Sequence, residues 1–383
     1  MPFTSALSTN PVTESALDEV SAAALEALTG SPDLAIVFVS TDHRPKMEML
    51  ADRLSNQLGA PLLGCTGESI AATGREIEMS SAISLWLGQL PEAEVIPFSL
   101  EFTRTEDGGT ITGWPDEVEG DWPDGSMLLV LGEPFSFPAD LLLTRMNEDR
   151  PGIPVVGGMA SGGDAPGQNL LVYGNQVQKS GATGVLLRGN ARATAVVSQG
   201  CRPIGDHYII TKADRNWIIE LGGHPTMKQL EKLFNTLATS EQRMVQSGLH
   251  IGRVVSEYQD HFEQGDFLVR NVVGVDEDTG ALAIGDYVRP GQTVQFHIRD
   301  ESTADGEMKQ LMAAADLQPK GGLLFTCNGR GTRLFSAPHH DAGVIQNAFG
   351  DIPLAGFFAQ GELGPIGGKN FMHGFTASAV LFE

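Results

Sequence analysis

Cys327, Asn328, Gly329, Arg330 and Gly331 occupy five consecutive positions near the C-terminus, and Glu362 follows within G-E-L-G-P. A glycine-broken backbone lets N–H groups face an anion. An arginine holds a carboxylate by two parallel hydrogen bonds, and a glutamate on a neighbouring strand end takes an ammonium group. Together they suit an amino acid or a similar small charged metabolite. They equally suit a direct Arg330–Glu362 pair above a tight turn, and the residues leave both readings open. Cys65, Thr66, Gly67 and Glu68 form a second polar, glycine-broken stretch behind an apolar run. His340 and His373 are expected to line the same pocket or to play structural roles.

Other chemistries fit less well, and no catalytic residue is assigned. Cys327 and Arg333 have the C-x5-R spacing of cysteine phosphatases, but no histidine precedes the cysteine and Leu-Phe-Ser-Ala-Pro follows the arginine. Cys65 lacks the following helix of a nucleophile elbow. A cysteine-dependent hydrolase or phosphatase using Cys327 or Cys65 therefore stands as the alternative function. His339 and His340 are adjacent, so on a helix they point about 100° apart and do not share one ion. C-x-x-C and H-E-x-x-H do not occur, so no metal or cofactor is expected.

The elements that must position these groups recur. Strand, helix, strand, loop, strand is read three times: from Asp33 to about Pro97, from Ser126 to about Leu187, and from Gly321 to the C-terminus. Each copy opens its second strand with Pro-x-x-Gly: Pro61–Gly64, Pro154–Gly157 and Pro353–Gly356. Proline opens a strand without sitting in its ladder, and the glycine is read as freeing the backbone where the strand ends. About one extra unit's length separates the second and third copies. Helices are expected over Glu14–Leu28, Pro45–Leu58 (with Asp42 as N-cap), Pro138–Asn147 and Ala304–Asp316. The acidic, glycine- and proline-rich stretch Thr103–Gly125 reads as a surface connection pinned by Trp114 and Trp122. Short strands and turns after Ala193 mark a change of texture.

The expected fold class is α/β, with two domains of mixed sheets flanked by helices on a repeated strand-helix-strand-strand unit. The predicted divisions are 1–32 (leader and helix), 33–200 and 201–383. With 25 basic and 48 acidic residues the net charge is −23, which argues against a general nucleic-acid or anionic-membrane face. Three scattered cysteines offer no disulfide framework and fit a reducing compartment. The N-terminus lacks signal-peptide texture, and no apolar run approaches the roughly 20 residues of a membrane helix. A cytoplasmic location is expected.

Two stretches carry a family resemblance. F-T-C-N-G-R-G, a helix, P-L-A-G-F-F-A-Q-G-E-L-G-P and a closing H-G-F-T-A-S-A-V-L-F resemble the FIST carboxy-terminal domain. P-L-L-G-C-T-G-E-S-I with S-S-A-I-S-L-W-L resembles the FIST amino-terminal domain. The resemblance runs roughly from Asp33 to Phe382 and implies a cytoplasmic sensory module that binds a small ligand, such as an amino acid, for signal transduction. Family members are often joined to output domains. This sequence leaves no stretch for one, so the implied signal passes to a separate partner or through a homo-oligomer.

Overall fold

The recurrence of Pro-x-x-Gly has one physical cause in all three copies. The computed structural model describes residues 2–105, 108–258, 261–262 and 265–383. In it each proline directly precedes a buried strand: Leu62–Gly67, Val155–Met159 and Leu354–Ala359. Its carbonyl accepts the N–H of Ala35, Leu128 or Gly322 on a parallel neighbour, at 2.9 Å each time. The glycines pair with Val37, Val130 and Leu324. A Cβ on Gly64, Gly157 or Gly356 would lie 2.3, 1.9 or 2.0 Å from the carbonyl oxygen of that partner. So the glycine is needed inside the strand, by a close backbone neighbour, rather than at the strand's end as its sequence position implied.

Each repeat is longer than its sequence pattern. It begins with a strand that pairs antiparallel with the repeat's closing strand: Phe3–Ser8, Ala93–Thr105 and Ala193–Ser198. A first connection follows, then the strand–helix–strand core. Those cores hold the helices Met47–Leu58, Ala139–Asp149 and His340–Phe349. A short hairpin and a closing strand complete the repeat. Within each repeat the two core strands are parallel, and the closing strand is antiparallel to the first of them.

The hairpins bind the repeats into one body by passing round a ring. The hairpin of repeat 1 (Ile70–Ala72, Arg75–Ile77) joins the sheet of repeat 3 through Leu354–Ala359. That of repeat 2 (Leu171–Tyr173, Gln176–Gln178) joins the sheet of repeat 1 through Leu62–Gly67. That of repeat 3 (Glu362–Ile366, Lys369–His373) joins the sheet of repeat 2 through Val155–Met159. Three sheets of six, seven and six strands result.

Their inner faces share one core. Phe38 of repeat 1 stacks on Phe357 of repeat 3 at 5.1 Å, in a cluster that also takes Leu129 and Val156 from repeat 2. Separate clusters cover the outer faces beneath the helices: Leu50 and Leu54 in repeat 1, Leu142 and Met146 in repeat 2, and Ala342 and Ile345 in repeat 3.

The extra length lies inside repeat 3. Residues 199–307 form a compact unit of their own, and residues 1–198 with 308–383 form the other. The stretch expected as one domain, 201–383, is thus divided between two units, because its last part completes the third sheet. Among the described residues of the inserted unit, seven antiparallel strands are ordered so that Cys201–Asp214 pairs both with Thr293–Arg299 and with Trp217–Leu221, which closes the sheet on itself. Two smaller differences concern the repeats. The predicted helix 304–316 runs Glu301–Ala314. In the stretch expected as a surface connection, Gly108–Thr112 is a strand paired with Glu101–Thr105, its Thr110–Ile111–Thr112 run continuing the ladder; Glu106 and Asp107 lie outside the described residues. The architecture is α/β with mixed sheets and flanking helices in two domains. Among the described residues no helix is long and apolar enough to cross a membrane.

Candidate functional site

Aligning the repeats on their glycines places Glu68, Ser161 and Gln360 at one equivalent position, four residues after Gly64, Gly157 and Gly356. These three strand ends meet. Ser161 N–H donates to Thr66 O at 3.1 Å, and Gln360 N–H donates to Met159 O at 3.0 Å. Repeats 1 and 3 are joined directly, with Phe358 N–H donating to Ser69 O at 2.9 Å, and through a side chain: Glu68 N–H donates to Ser161 Oγ at 2.8 Å, and that hydroxyl donates to Phe358 O. The backbones of three repeats therefore close on one another where their parallel strands end.

Beside this joint lies a cavity of about 470 Å³. Repeat 1 supplies Ser40, Thr41, Asp42, Glu68, Met79 and Ser80; repeat 2 supplies Gly162, Gly163 and Asp164; repeat 3 supplies Asn328 and Gln360. Open α/β sheets bind ligands outside the carboxyl ends of their parallel strands, and this cavity has that position. Three carboxylates line it: Asp42, Glu68 and Asp164. Glu68 is held by the fork of Arg333, with Nη1 to Oε2 and Nη2 to Oε1 both at 2.8 Å. The Asn328 amide, oriented so that its nitrogen donates, reaches Phe358 O at 2.9 Å and Glu68 Oε2 at 3.3 Å. Arg333 Nη1 also donates to Asn328 O at 2.7 Å. The arginine of the C-x5-R spacing is thus committed to Glu68 and the loop backbone.

Arg330 is placed differently from the open, ligand-facing position its glycine neighbours implied. Its side chain is 0% exposed and Asp341's is 1%. Arg330 Nε donates to Asp341 Oδ2 and Nη2 donates to Oδ1, each at 2.7 Å. Thr326 Oγ1 donates to the same carboxylate, and His340 Nδ1 lies 2.8 Å from it. Phe335 stacks flat on His340 at 3.4 Å and lies 5.2 Å from the Arg330 guanidinium carbon. Burial alone would raise the Asp341 carboxyl. The charge and hydrogen bonds of Arg330, with His340, overcome it and hold the group well below the usual carboxylate range. Glu76, whose Oε1 accepts Ala342 N–H at 2.9 Å, faces this cluster. Burial and then the Asp341 charge push it up to about 8.

Half-buried Cys327 stands beside the fully buried Glu362, whose Oε2 accepts Thr376 N–H at 3.1 Å. Burial raises Glu362 to about 8. Burial and the Glu362 charge raise Cys327 to about 12. Cys65 is fully enclosed in the core and burial pushes its thiol well above the ordinary value. Thiolates are the nucleophilic form, and neither environment favours one. Thr66 and Gly67 are buried in the strand; Thr66 Oγ1 accepts Leu170 N–H at 3.1 Å. Gly329 N–H donates to Cys327 Sγ at 3.4 Å, Gly331 starts a 3-10 turn, and His373 Nε2 lies 3.0 Å from Gly364 O.

Of the residues named from sequence, Glu68 and Asn328 thus line the cavity. Arg330, Glu362 and His373 are buried, Cys327 and His340 are half-buried, and none of the five lines it. Sequence reasoning missed Thr41, Asp164, Gln360 and the pairing of Arg333. Asp42 was read as a helix cap, whereas its Oδ2 accepts Ser81 Oγ–H at 2.8 Å. The available signal was the offset from each repeat glycine, which marks Glu68, Ser161 and Gln360 together.

A family model described as the FIST N domain matches residues 33–224, and one described as the FIST C domain matches residues 229–365. The chain belongs to the FIST family. FIST domains are sensory domains of signal transduction, for which small-ligand binding has been suggested. The two FIST models divide the chain near 224–229, which is neither of the structural divisions, since the third repeat encloses the inserted unit. Similar FIST-length relatives include an uncharacterised protein of Mycobacterium tuberculosis, 45% identical over 98% of both chains. Another, from Mycobacterium bovis, is 42% identical over 98% of this chain and 97% of its own. A shorter similarity, 38% over 69 residues, is to F-box only protein 22 of Pongo abelii, covering 18% of this chain and 17% of that one.

Proposed function

We propose that this FIST protein is a sensory protein whose ligand occupies the cavity at the joint of the three repeats, and that the ligand is an amino acid or a related small amine. One observation carries the reading: strand ends from all three repeats line a single cavity of about 470 Å³, a size within the usual range for small-molecule sites. Asp42 and Asp164 favour an ammonium group there. Glu68 is already matched by Arg333 and contributes position more than net charge. Thr41, Ser80 and Gln360 offer hydrogen-bond partners for the rest of a polar molecule.

Binding at this point is also suited to signalling. A ligand touching three repeats is sensitive to their relative placement, so occupancy stabilises one arrangement of the ring over others. The signal then goes to a separate partner or through self-association in a cytoplasmic setting. The test is a thermal-shift screen with amino acids, diamines and polyamines. A saturable rise in melting temperature with an amine-bearing compound is expected. Absence of any shift across the panel overturns the reading.

A further inference from the structure

The three repeats differ most in their first connection, and the difference leaves a second cavity. In repeat 1 this connection is the helix Thr13–Ala27, whose Leu17 and Val20 share a cluster with Leu50 and Leu54 of the core helix. In repeat 3 it ends in the helix Glu301–Ala314, whose Met308 and Met312 share a cluster with Ala342 and Ile345. In repeat 2 the described residues of the connection, 108–126, contain no α-helix. Between Gly113 and Gly125 they make only a 3-10 turn, Asp116–Val118. Pro115 and Pro123, with positive φ at Gly113, Gly120 and Gly125, keep this stretch from continuing as a helix.

A cavity of about 520 Å³ lies between this connection and the core helix of repeat 2. Its apolar walls include Ile111, Trp114 and Trp122 on one side and Leu141, Leu142 and Met146 on the other. The aromatic walls are fixed. Trp114 packs on Phe98 with ring centroids 4.9 Å apart, and the Trp122 indole N–H donates to Val118 O at 2.9 Å. At the mouth, the Arg150 guanidinium carbon stands 5.0 Å from the Trp122 ring centre. Among the described residues no carboxylate pairs with it. Arg145 adds a second cation and holds Glu148 only at 3.4 Å, on the exposed surface. Glu119 and Asp149 share the mouth but are exposed, whereas Arg150 is half-buried and seated on an aromatic face.

We infer that this cavity is a second ligand site, for a small molecule with a flat apolar body and an anionic head, of the arylalkanoic acid class. The body lies against Trp114, Trp122 and Met146. The carboxylate takes the parallel N–H donors of Arg150, which cation–π contact with Trp122 holds in place. Cavities of this size with aromatic walls and few polar groups are the usual form of small-molecule sites. This inference does not rest on the amine site at the repeat joint.

The probes are phenylbutyrate and its neutral amide, titrated into the full chain with binding read by calorimetry and by tryptophan fluorescence. Phenylbutyrate is expected to bind saturably and to change the tryptophan signal. Arg150→Gln is expected to weaken phenylbutyrate about tenfold, as loss of a charge-assisted bond implies, and to leave the amide nearly unchanged. Leu141→Trp, which fills the half-buried rim, is expected to abolish both. Circular dichroism and melting of Arg150→Gln check that the variant is folded, and Arg150→Lys, which keeps charge but not the fork, is expected to fall between. Phenylbutyrate that fails to bind, that binds Arg150→Gln as well as the wild type, or that still binds Leu141→Trp overturns the site.

Discussion

Arg330 and Asp341 form a two-pronged ion pair at 2.7 Å on both arms, with neither side chain reaching solvent. Removing one partner strands the other charge in the interior. Arg330→Ala or Asp341→Ala is therefore expected to cost about 3–5 kcal/mol in urea unfolding. The double variant Arg330→Met with Asp341→Leu is expected to lose far less than the two single losses added together. Near-additive losses would mean that the pair is not the unit that matters.

The repeat glycines give a backbone prediction. Alanine at Gly64 or Gly356 places a Cβ 2.3 or 2.0 Å from a backbone carbonyl oxygen of the neighbouring, hydrogen-bonded strand. Each substitution is expected to cost about 2–3 kcal/mol. Gly59→Ala serves as the contrast: its left-handed φ of +63° is unfavourable, but nothing stands within 4 Å, so the expected loss is about 1 kcal/mol. Equal losses at all three sites would contradict the close-approach explanation.

Much of this fold was legible in the residues, and the reasons differ by element. Proline and glycine at a fixed spacing reported the strand pairs because both answer to the close parallel neighbour, the proline carbonyl by accepting its N–H and the glycine by leaving room for its carbonyl. The ring of exchanged hairpins was not legible, since nothing in Ile70–Ala72 or Leu171–Tyr173 says which sheet the strand will join. The candidate site was half legible. Glu68 and Asn328 line the cavity, but Arg330 looked available because its partner, Asp341, lies eleven residues on, in the following helix. Whether a charged side chain faces inward depends on its partner's position, which sequence spacing alone does not fix.

Glu76 and Glu362 make the stability of the repeat body depend on pH. Both carboxyls stand at about 8, above the ordinary 4.5. The folded form thus holds protons that the unfolded chain has already released. Their contribution is complete below about 4.5 and is lost as pH rises toward 8. Glu362→Gln is expected to flatten the fall in urea midpoint between those limits, and Glu76→Gln likewise. The inserted unit runs the other way. Burial lowers His297 to about 4, so its contribution is lost as pH falls from the ordinary 6.5 through 4. Unfolding midpoints of the wild type and Glu362→Gln that track each other across pH 5–8 would refute the assignment for Glu362.

The cysteines supply a kinetic prediction. With Cys327 raised to about 12 and Cys65 enclosed, native-state alkylation at neutral pH is expected to be slow and to accelerate sharply in denaturant. With Glu362 raised to about 8 its carboxyl is largely protonated at neutral pH, so Glu362→Gln is expected to leave the neutral-pH rate at Cys327 nearly unchanged and to raise it only above about pH 8. Rapid native alkylation with a midpoint below pH 7 would instead support a cysteine-dependent enzyme.

Calorimetric titration is the most direct test of the site at the repeat joint, using the amine-bearing compound that gives the largest thermal shift. The wild type is expected to show one saturable site that weakens at least about tenfold in Asp42→Asn with Asp164→Asn, with the variant's melting temperature in the absence of ligand unchanged. Unchanged affinity in that double variant would contradict the account.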